Sequence, residues 1–174
     1  MNINILKQKL KQSTTEQLIK DIVDIYKKNN FVKDYYNSKY SKKDDISILN
    51  KHKDIIENEF FPIIGFGKAR LSVAKKAISE YKKINNKEDH IAELMIFYVE
   101  NGVQYSECYG DIYEQFYLSM ESMYKKAIKF IIDNNLQNKY KKRCLSIIKN
   151  TKDMGWGFHD ELCNIYYSYF FDNN

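Results

Sequence analysis

Breaks in helical periodicity are rare along this chain, which has one proline, Pro62, and six glycines among 174 residues. Because glycine and proline are the strongest local punctuators of secondary structure, so few of them indicate long helices joined by short turns. Apolar residues recur at three- and four-residue spacing, and no stretch combines strand-like alternation with hairpin residues. The segment from His90 to Val103 is apolar nearly all round, which is typical of a helix covered by its neighbours. The pattern predicts an all-α fold.

The predicted helices lie between asparagine pairs and short polar runs. Ser13, with Glu16 three residues later, predicts a capping box for one helix, and a later helix is expected to begin near Asp111. Pro62 predicts the end of another helix, because a proline disfavours helical geometry in the residue before it. Tight turns place consecutive helices antiparallel. We therefore expect a single all-helical domain over 1–174, built of stacked antiparallel α-hairpins as an irregular bundle or a short helical-repeat-like solenoid.

The bulk composition excludes several classes of protein. A chain that is 44% hydrophobic, with 15 Tyr and 10 Phe, is too apolar to be disordered. No apolar run is long enough to span a membrane, and the N-terminus lacks the apolar core of a signal peptide, so we expect a cytoplasmic protein with no membrane partner. Cys108, Cys144 and Cys163 have no paired spacing, which argues against a disulfide framework or a zinc knuckle. We expect no cofactor and no metal.

The basic residues leave nucleic-acid binding as an alternative. The net charge is +5, and of the 28 basic residues only Arg70 and Arg143 are arginines. Lysine is a hydrated point charge suited to solvated helix faces, whereas arginine supplies the planar fork that grips phosphates. A dedicated nucleic-acid binder is usually more basic, with its charges clustered on one face. Lysine-rich faces and the run KYKKR at 139–143 would carry this alternative.

The turn at 155–157, sequence GWG, contains the only tryptophan of the chain. In the structural interpretation, Gly155 ends a helix in a left-handed turn while Trp156 and Phe158 fill the groove between helices. In the functional interpretation, His159 and Asp160 form an acid/base pair or half of a metal site beside an exposed ring. Turn and aromatic residues are more often caps and core than ligands, so the structural interpretation is favoured. Trp156, His159 and Asp160 stay candidate binding residues.

The two arginines are candidate site residues because the chain otherwise uses lysine. An arginine can contact a carboxylate through two parallel hydrogen bonds, and Glu93, Glu100 and Asp160 are candidate partners. A structural ion pair is the favoured interpretation of both Arg70 and Arg143.

The segment from Gly65 to Arg70 opens a predicted helix. It departs from the phosphate-binding loop pattern, since Ala69 follows the lysine where serine or threonine is needed. A flexible turn is the favoured interpretation, and a weak anion site at the helix start is the alternative.

Four tyrosines, Tyr105, Tyr109, Tyr113 and Tyr117, recur at four-residue spacing. If this stripe is exposed, it would bind a peptide or a protein partner; if it is covered, it packs between helices with its hydroxyls at the rim. Tyr109 and Tyr113 are the candidate binding residues of the stripe.

Three segments carry a resemblance to a known family. These are LMIFYVENG at 94–102, YGDI at 109–112 and GWGFHDEL at 155–162. Together with the opening leucine-containing helices, they resemble the bacterial domain-of-unknown-function family 6155 over nearly the whole chain. The resemblance implies one helical protein of similar size. That family has no assigned activity, so the resemblance supplies no catalytic residues.

No Ser-His-Asp or Cys-His arrangement stands out in the sequence and no dinucleotide fingerprint appears, so the sequence identifies no catalytic residue and leaves open whether the protein is an enzyme. We expect a non-catalytic protein-interaction module that binds a protein partner, or a second copy, through a concave or tyrosine-lined face. The alternatives are a nucleic-acid-associated protein and a metal-dependent hydrolase centred on His159 and Asp160.

Overall fold

The computed structural model of the protein describes residues 1–171. Within them the chain forms nine α-helices and no strand, which confirms the predicted all-α class. The helices are α1 (Ile3–Gln12), α2 (Thr15–Lys28), α3 (Asn30–Tyr40), α4 (Lys42–Phe60), α5 (Leu71–Ile84), α6 (Glu88–Tyr109), α7 (Glu114–Asp133), α8 (Gln137–Lys149) and α9 (Phe158–Phe170). None of the helices within the described residues has the combination of length and apolar character that crossing a membrane requires.

The internal contacts divide the chain into two compact units. The first is Met1–Asp45, and the second begins at Ile46, within α4. The prediction of one domain over 1–174 stays a prediction, and its last three residues lie outside the described part of the chain.

The first unit contains α1, α2 and α3. The capping box predicted at Ser13 is displaced by one residue: Thr14 caps α2, its hydroxyl accepts from the amide of Gln17, and the Gln17 side chain accepts from the Thr14 amide. Helices α2 and α3 pack together, with the Tyr26 hydroxyl donating to the side chain of Asn37 at 2.8 Å.

The second unit is an irregular bundle around α6. This helix is buried on nearly every side, as its apolar sequence predicts, and α5, α7 and α8 pack against it. Tyr98 pairs with Ser119 and Ser106 with Tyr117, so α6 and α7 run antiparallel. Helix α9 packs on α7 and α8 and closes the bundle. The helical-repeat alternative is not confirmed.

The connection between α6 and α7 corrects one prediction. Helix α6 ends at Tyr109, Gly110 takes a φ of +81°, and α7 begins only at Glu114. Asp111 therefore does not start a helix, and its carboxylate instead accepts a hydrogen bond from the Tyr117 hydroxyl at 2.8 Å. Because of this break, the four regularly spaced tyrosines do not lie on a single helix.

Candidate functional site

The loop between α4 and α5, residues 61–70, is closed at its base by Glu59 and Arg70. Helix α4 ends at Phe60, two residues before Pro62. The Arg70 guanidinium donates to both carboxylate oxygens of Glu59, from Nε at 2.9 Å and from Nη2 at 2.7 Å. The Ala69 amide donates to the Glu59 carbonyl at 2.7 Å. The loop therefore leaves and re-enters the bundle at one point, which is the geometry of an Ω-loop.

The Glu59 carboxylate also occupies the start of α5, where the sequence allowed a weak anion site. The backbone amide of Arg70, immediately before the helix, donates to the Glu59 carboxylate at 3.2 Å. Hydrogen bonding by Arg70 holds the pKa of Glu59 below its ordinary value. The negative group at this helix start is thus a side chain of the protein itself. Arg70 forms a structural ion pair, with Glu59 and not with one of the three partners considered from the sequence.

Gly67 lets the loop approach the end of α4 closely. A Cβ atom added at this position would lie 1.9 Å from the carbonyl oxygen of Phe60. The Gly67 carbonyl also accepts a hydrogen bond from the Tyr105 hydroxyl at 3.2 Å. These contacts fix the path of the loop against α4 and α6.

Gly67→Ala should therefore displace the loop. We expect the free energy of unfolding to fall by about 1 to 2 kcal/mol, because the added methyl group meets backbone atoms that cannot rotate away. Denaturant unfolding measures this loss, and Lys68→Ala, at an exposed neighbour in the same loop, should cost far less. Equal losses in the two variants would contradict the close approach described here.

The tip of the loop exposes three large apolar side chains. Ile63, Ile64 and Phe66 are 97%, 90% and 82% exposed. Single exposed apolar residues are ordinary, but several together on one fixed surface mark an interaction site. Only Gly65, with a φ of +82°, separates them.

Aromatic side chains of α6 and of the α6–α7 connection continue this surface. The Phe66 ring lies 6.5 Å from that of Tyr109, and the Tyr109 ring lies 4.6 Å from that of Tyr105. Tyr109 and Tyr113 are exposed, whereas Tyr105 is half-buried and Tyr117 is buried. The tyrosine stripe thus combines two exposed binding candidates with two packing residues. Burial and the neighbouring tyrosines Tyr109 and Tyr113 raise the pKa of Tyr105.

Trp156 lies beside the same connection. Its side chain is 58% exposed, and its Nε1–H donates to the Ile112 carbonyl at 3.1 Å. The left-handed backbone falls at Trp156 and Gly157, whereas Gly155 lies close to the Asp111 carboxylate. Phe158 is completely buried. The two neighbouring aromatic side chains therefore have different environments. Phe158 fills the core, as predicted, whereas Trp156 does not fill the predicted groove.

We define the aromatic patch by its six exposed side chains. They come from three segments that are distant in sequence: the loop after α4, the end of α6 with the connection that follows it, and the turn before α9. The residues are Ile63, Ile64, Phe66, Tyr109, Tyr113 and Trp156.

The exposure of Trp156 predicts a solvent-sensitive fluorescence signal. It is the only tryptophan, so the native emission reports on this turn alone. We expect a red-shifted emission maximum in the folded protein and ready quenching by acrylamide, with little further change on unfolding. A blue-shifted and protected signal would contradict the placement of Trp156 in the patch.

His159 lies in a short hydrogen-bonded chain next to this turn. The Thr151 hydroxyl donates to the Ile148 carbonyl at 2.8 Å, so its oxygen accepts from Nδ1–H of His159 at 3.0 Å. In this arrangement Nδ1 of His159 carries the proton and Nε2 carries the free lone pair. Nε2 lies 3.6 Å from the Cys163 sulfur and accepts a hydrogen bond from its thiol. Sequence patterns alone did not indicate this His-Cys pair, although His159 and Cys163 stand four residues apart, on one side of α9.

The chemistry of this pair favours a structural role. Burial and the nearby Asp160 raise the pKa of the Cys163 thiol, which opposes formation of the reactive thiolate. Asp160 is exposed in the first turn of α9, where a negative charge suits the helix dipole. His52 and His90, the other two histidines, lie against Tyr81. Within residues 1–171, no three His, Cys, Asp or Glu side chains are grouped to hold a metal ion.

Arg143 forms the centre of an ion-pair network between α8 and α6. Its Nε and Nη2 atoms donate to Glu100 at 2.5 and 2.6 Å, and its Nη1 donates to Glu93 at 2.5 Å. Lys53 of α4 also donates to Glu93, at 2.9 Å. Burial alone would raise the pKa of Glu93, and the hydrogen bonds and charges of Arg143 and Lys53 lower it to a greater extent. Glu93 and Glu100 were two of the partners considered from the sequence.

Most of the cationic side chains in the basic run at 139–143 contact other residues of the same chain. Lys139 pairs with Asp89 at 2.6 Å, and Arg143 is held by the network just described. The ammonium group of Lys141 lies 4.5 Å from the ring centroid of Phe171. Nucleic-acid binding through this run stays a prediction, with fewer cations available than the sequence suggests.

These observations define an all-helical protein whose most distinctive surface feature is the exposed aromatic patch. Part of this patch is the tip of a loop that is closed at its base. The sequence profile of DUF6155, a family of unknown function, matches residues 1–170. The chain belongs to this family, as its resemblance indicated. No curated protein and no solved structure matches the chain.

Proposed function

We propose that the protein is a non-catalytic protein-interaction module that binds a partner through the aromatic patch. The observation that carries the proposal is the combination of nearly complete exposure at Ile63, Ile64 and Phe66 with a loop fixed at Glu59, Gly67 and Arg70. A cytoplasmic location, expected from the sequence, is part of this proposal.

The anchored base of the loop favours binding because this part of the loop is already ordered before the partner arrives. Association is opposed by the entropy lost when loops and side chains become ordered, so a preorganised surface binds more tightly than a mobile one of equal area. The Glu59–Arg70 pair and the Tyr105–Gly67 hydrogen bond order the base of the loop and its return to α5.

The composition of the patch suits a protein or peptide ligand. Trp and Tyr are enriched among residues that dominate binding energies, because they offer large apolar areas with a polar edge. Tyr109, Tyr113 and Trp156 have this character, and Phe66 adds an apolar ring. Side chains that project from the surface do not enclose a ligand, whereas small-molecule sites are concave clefts.

Selection from a displayed library of random peptides tests the proposal. Immobilised full-length protein should enrich peptides rich in apolar residues, and the triple variant Ile63→Ser, Ile64→Ser, Phe66→Ser should bind none of them. Leu118→Ser, at an exposed apolar position of α7 outside the patch, should bind them as the wild type does. Failure to enrich any peptide, or equal binding by the triple variant, would contradict the proposal.

A further inference from the structure

Helices α5 and α7 both pack on α6, and their side chains meet at the surface. The Lys75 ammonium of α5 donates to the Ser119 hydroxyl of α7 at 3.2 Å. Further along both helices, the Lys82 ammonium lies 5.6 Å from the ring centroid of Phe130. The two contacts come in the same order along both helices, so α5 and α7 run in the same direction and form one continuous surface.

We define the lysine patch by three cationic side chains on this surface. Lys75 and Lys82 are two turns apart on α5, and Lys126 lies two turns beyond Ser119 on α7. All three lysines are exposed. None of them forms an ion pair within the part of the chain that the structure describes. Their charges are therefore available to a ligand from outside the chain.

The acidic residues of α5 and α7 do not neutralise the patch. On α5, Glu80 pairs with Lys76 at 3.6 Å. On α7, Asp133 pairs with Lys129 at 3.0 Å. Two further acids of α7 lie on the side of the helix opposite to Ser119, because successive residues of an α-helix are rotated by about 100°. They are Glu114 and Glu121.

Lys82 has surroundings that disfavour its charge. Burial lowers the pKa of Lys82, and the positive charge of Lys126 lowers it further. Two like charges brought together without a counter-charge cost free energy, whereas an anion shared by Lys82 and Lys126 would replace the repulsion with two attractions. Titratable groups perturbed in this way cluster at functional sites. The arrangement favours a binding role over a purely structural one.

The chemistry of the patch suits a phosphate backbone. Phosphate oxygens accept hydrogen bonds from lysine ammonium groups and serine hydroxyls, and such contacts carry no sequence information. Ser79 of α5 and Ser122 of α7 are exposed one turn from a lysine of the patch. From Lys75 to Lys82 the helix rises about 10 Å. That length covers about three phosphates of one strand of a duplex, which follow each other at about 3.4 Å along its axis.

We propose that the lysine patch binds the backbone of a nucleic-acid duplex without reading its sequence. Single strands are held largely by bases stacked on aromatic rings, and the ring at this surface, Phe130, lies beneath the Lys82 ammonium. A helix that lies on a membrane inserts an apolar side. Helix α5, which the structure describes in full, exposes no large apolar side chain. A duplex backbone is thus the polyanion that fits this surface.

The location differs from the one that the sequence suggested for nucleic acid. In the run at 139–143, Lys139 and Arg143 are held by acids of α6. The three lysines of the patch are not, although they are scattered in sequence and form no basic run. The patch and the aromatic patch have no residue in common, so this inference is independent of the proposed function.

Fluorescence polarisation of a labelled duplex of about 20 base pairs and random sequence tests the proposal, with DNA and RNA duplexes compared. We expect the full chain to bind at least one of them with a micromolar dissociation constant in about 50 mM salt. The constant should rise about 40-fold in about 200 mM salt, because three phosphate contacts release counterions with a slope of about −2.7. Binding of neither duplex, or binding that is insensitive to salt, would overturn the proposal.

The triple variant Lys75→Gln, Lys82→Gln, Lys126→Gln should raise the dissociation constant at low salt by about tenfold or more and remove most of its salt dependence. Denaturant unfolding should show no loss of stability, because the substitutions end the repulsion between Lys82 and Lys126. Unchanged duplex binding in this variant would overturn the proposal.

A second triple variant is the matched control, since it removes the same net charge from exposed lysines elsewhere in the second unit. It should bind the duplex as the wild type does, and an equal loss in both variants would show that net charge alone explains the binding. Its substitutions are Lys142→Gln, Lys149→Gln and Lys152→Gln.

A membrane surface is the competing polyanion. Binding of the wild type to anionic phospholipid vesicles and not to duplexes, with loss in the lysine-patch variant, would overturn the proposal. The triple serine variant at Ile63, Ile64 and Phe66 should bind the duplex as the wild type does. The lysine-patch variant should likewise bind the selected peptides, so failure of this inference is distinguishable from failure of the proposed function.

Discussion

Replacement of Arg143 by methionine should lower the free energy of unfolding by about 2 to 3 kcal/mol, among the largest losses of any single substitution in this chain. Arg143 is the only residue that contacts both Glu93 and Glu100 among the ion pairs within residues 1–171. Methionine keeps much of the packing volume but removes the cation that Glu93 and Glu100 share, and of the two carboxylates Glu93 keeps its contact with Lys53. Thermal or denaturant unfolding measures the loss.

The effect of Arg143→Met should depend on pH. The pKa of Glu93 lies below its ordinary value of 4.5 in the folded protein. A lowered folded-state pKa contributes stability above the ordinary pKa, and this contribution is lost as the pH falls through the folded value. The difference between wild type and variant should therefore be complete at neutral pH and shrink below pH of about 4.

Lys142→Met is the matched control for this prediction. It removes one positive charge from the neighbouring position, which is exposed. We expect a change within about 0.5 kcal/mol at any pH. If Lys142→Met were as costly as Arg143→Met, general charge balance and not the α6–α8 network would explain the loss.

The second large effect concerns binding. For a peptide selected on the wild-type protein, Phe66→Ala should raise the dissociation constant about 30-fold, which corresponds to about 2 kcal/mol for a central aromatic residue of an interface. Because Phe66 is 82% exposed in the free protein, the same substitution should leave the free energy of unfolding nearly unchanged. Isothermal titration calorimetry and denaturant unfolding, applied to the same variant, separate the two effects.

Leu118→Ala provides the control for that measurement. Leu118 is also an exposed apolar residue of the second unit, but it lies outside the aromatic patch. Its removal should change neither affinity nor stability appreciably. An equal loss of affinity at Phe66 and Leu118 would indicate non-specific hydrophobic adsorption.

The helices could be predicted because their signals are local. Apolar spacing marks each one, and Pro62 marks the end of α4. The boundaries were less certain where two local signals overlap: Ser13 with Glu16 and Thr14 with Gln17 both fit a capping box, and the second forms. The start expected near Asp111 was wrong because Asp111 is used by Tyr117 in a tertiary hydrogen bond.

The patch could be predicted only in part because exposure is decided by tertiary packing. The tyrosine spacing indicated Tyr109 and Tyr113, but the break at Gly110 leaves Tyr109 at the end of α6 and Tyr113 in the connection before α7. Nothing in the local pattern shows that the loop at 61–70 is closed by Glu59, which precedes it, or that Ile63, Ile64 and Phe66 therefore point outward. The same limit applies to Cys163, whose partner His159 was evident only as a neighbour of Asp160.

Site-specific photo-crosslinking can show whether a protein partner binds the aromatic patch. A benzophenone-bearing amino acid replaces Phe66 in one variant and Leu118 in another, and each protein is irradiated in the cells that naturally make it. We expect a discrete crosslinked protein adduct from position 66 and none from position 118. Absence of any adduct at position 66, or the same adducts from both positions, would contradict a partner-binding role for the aromatic patch.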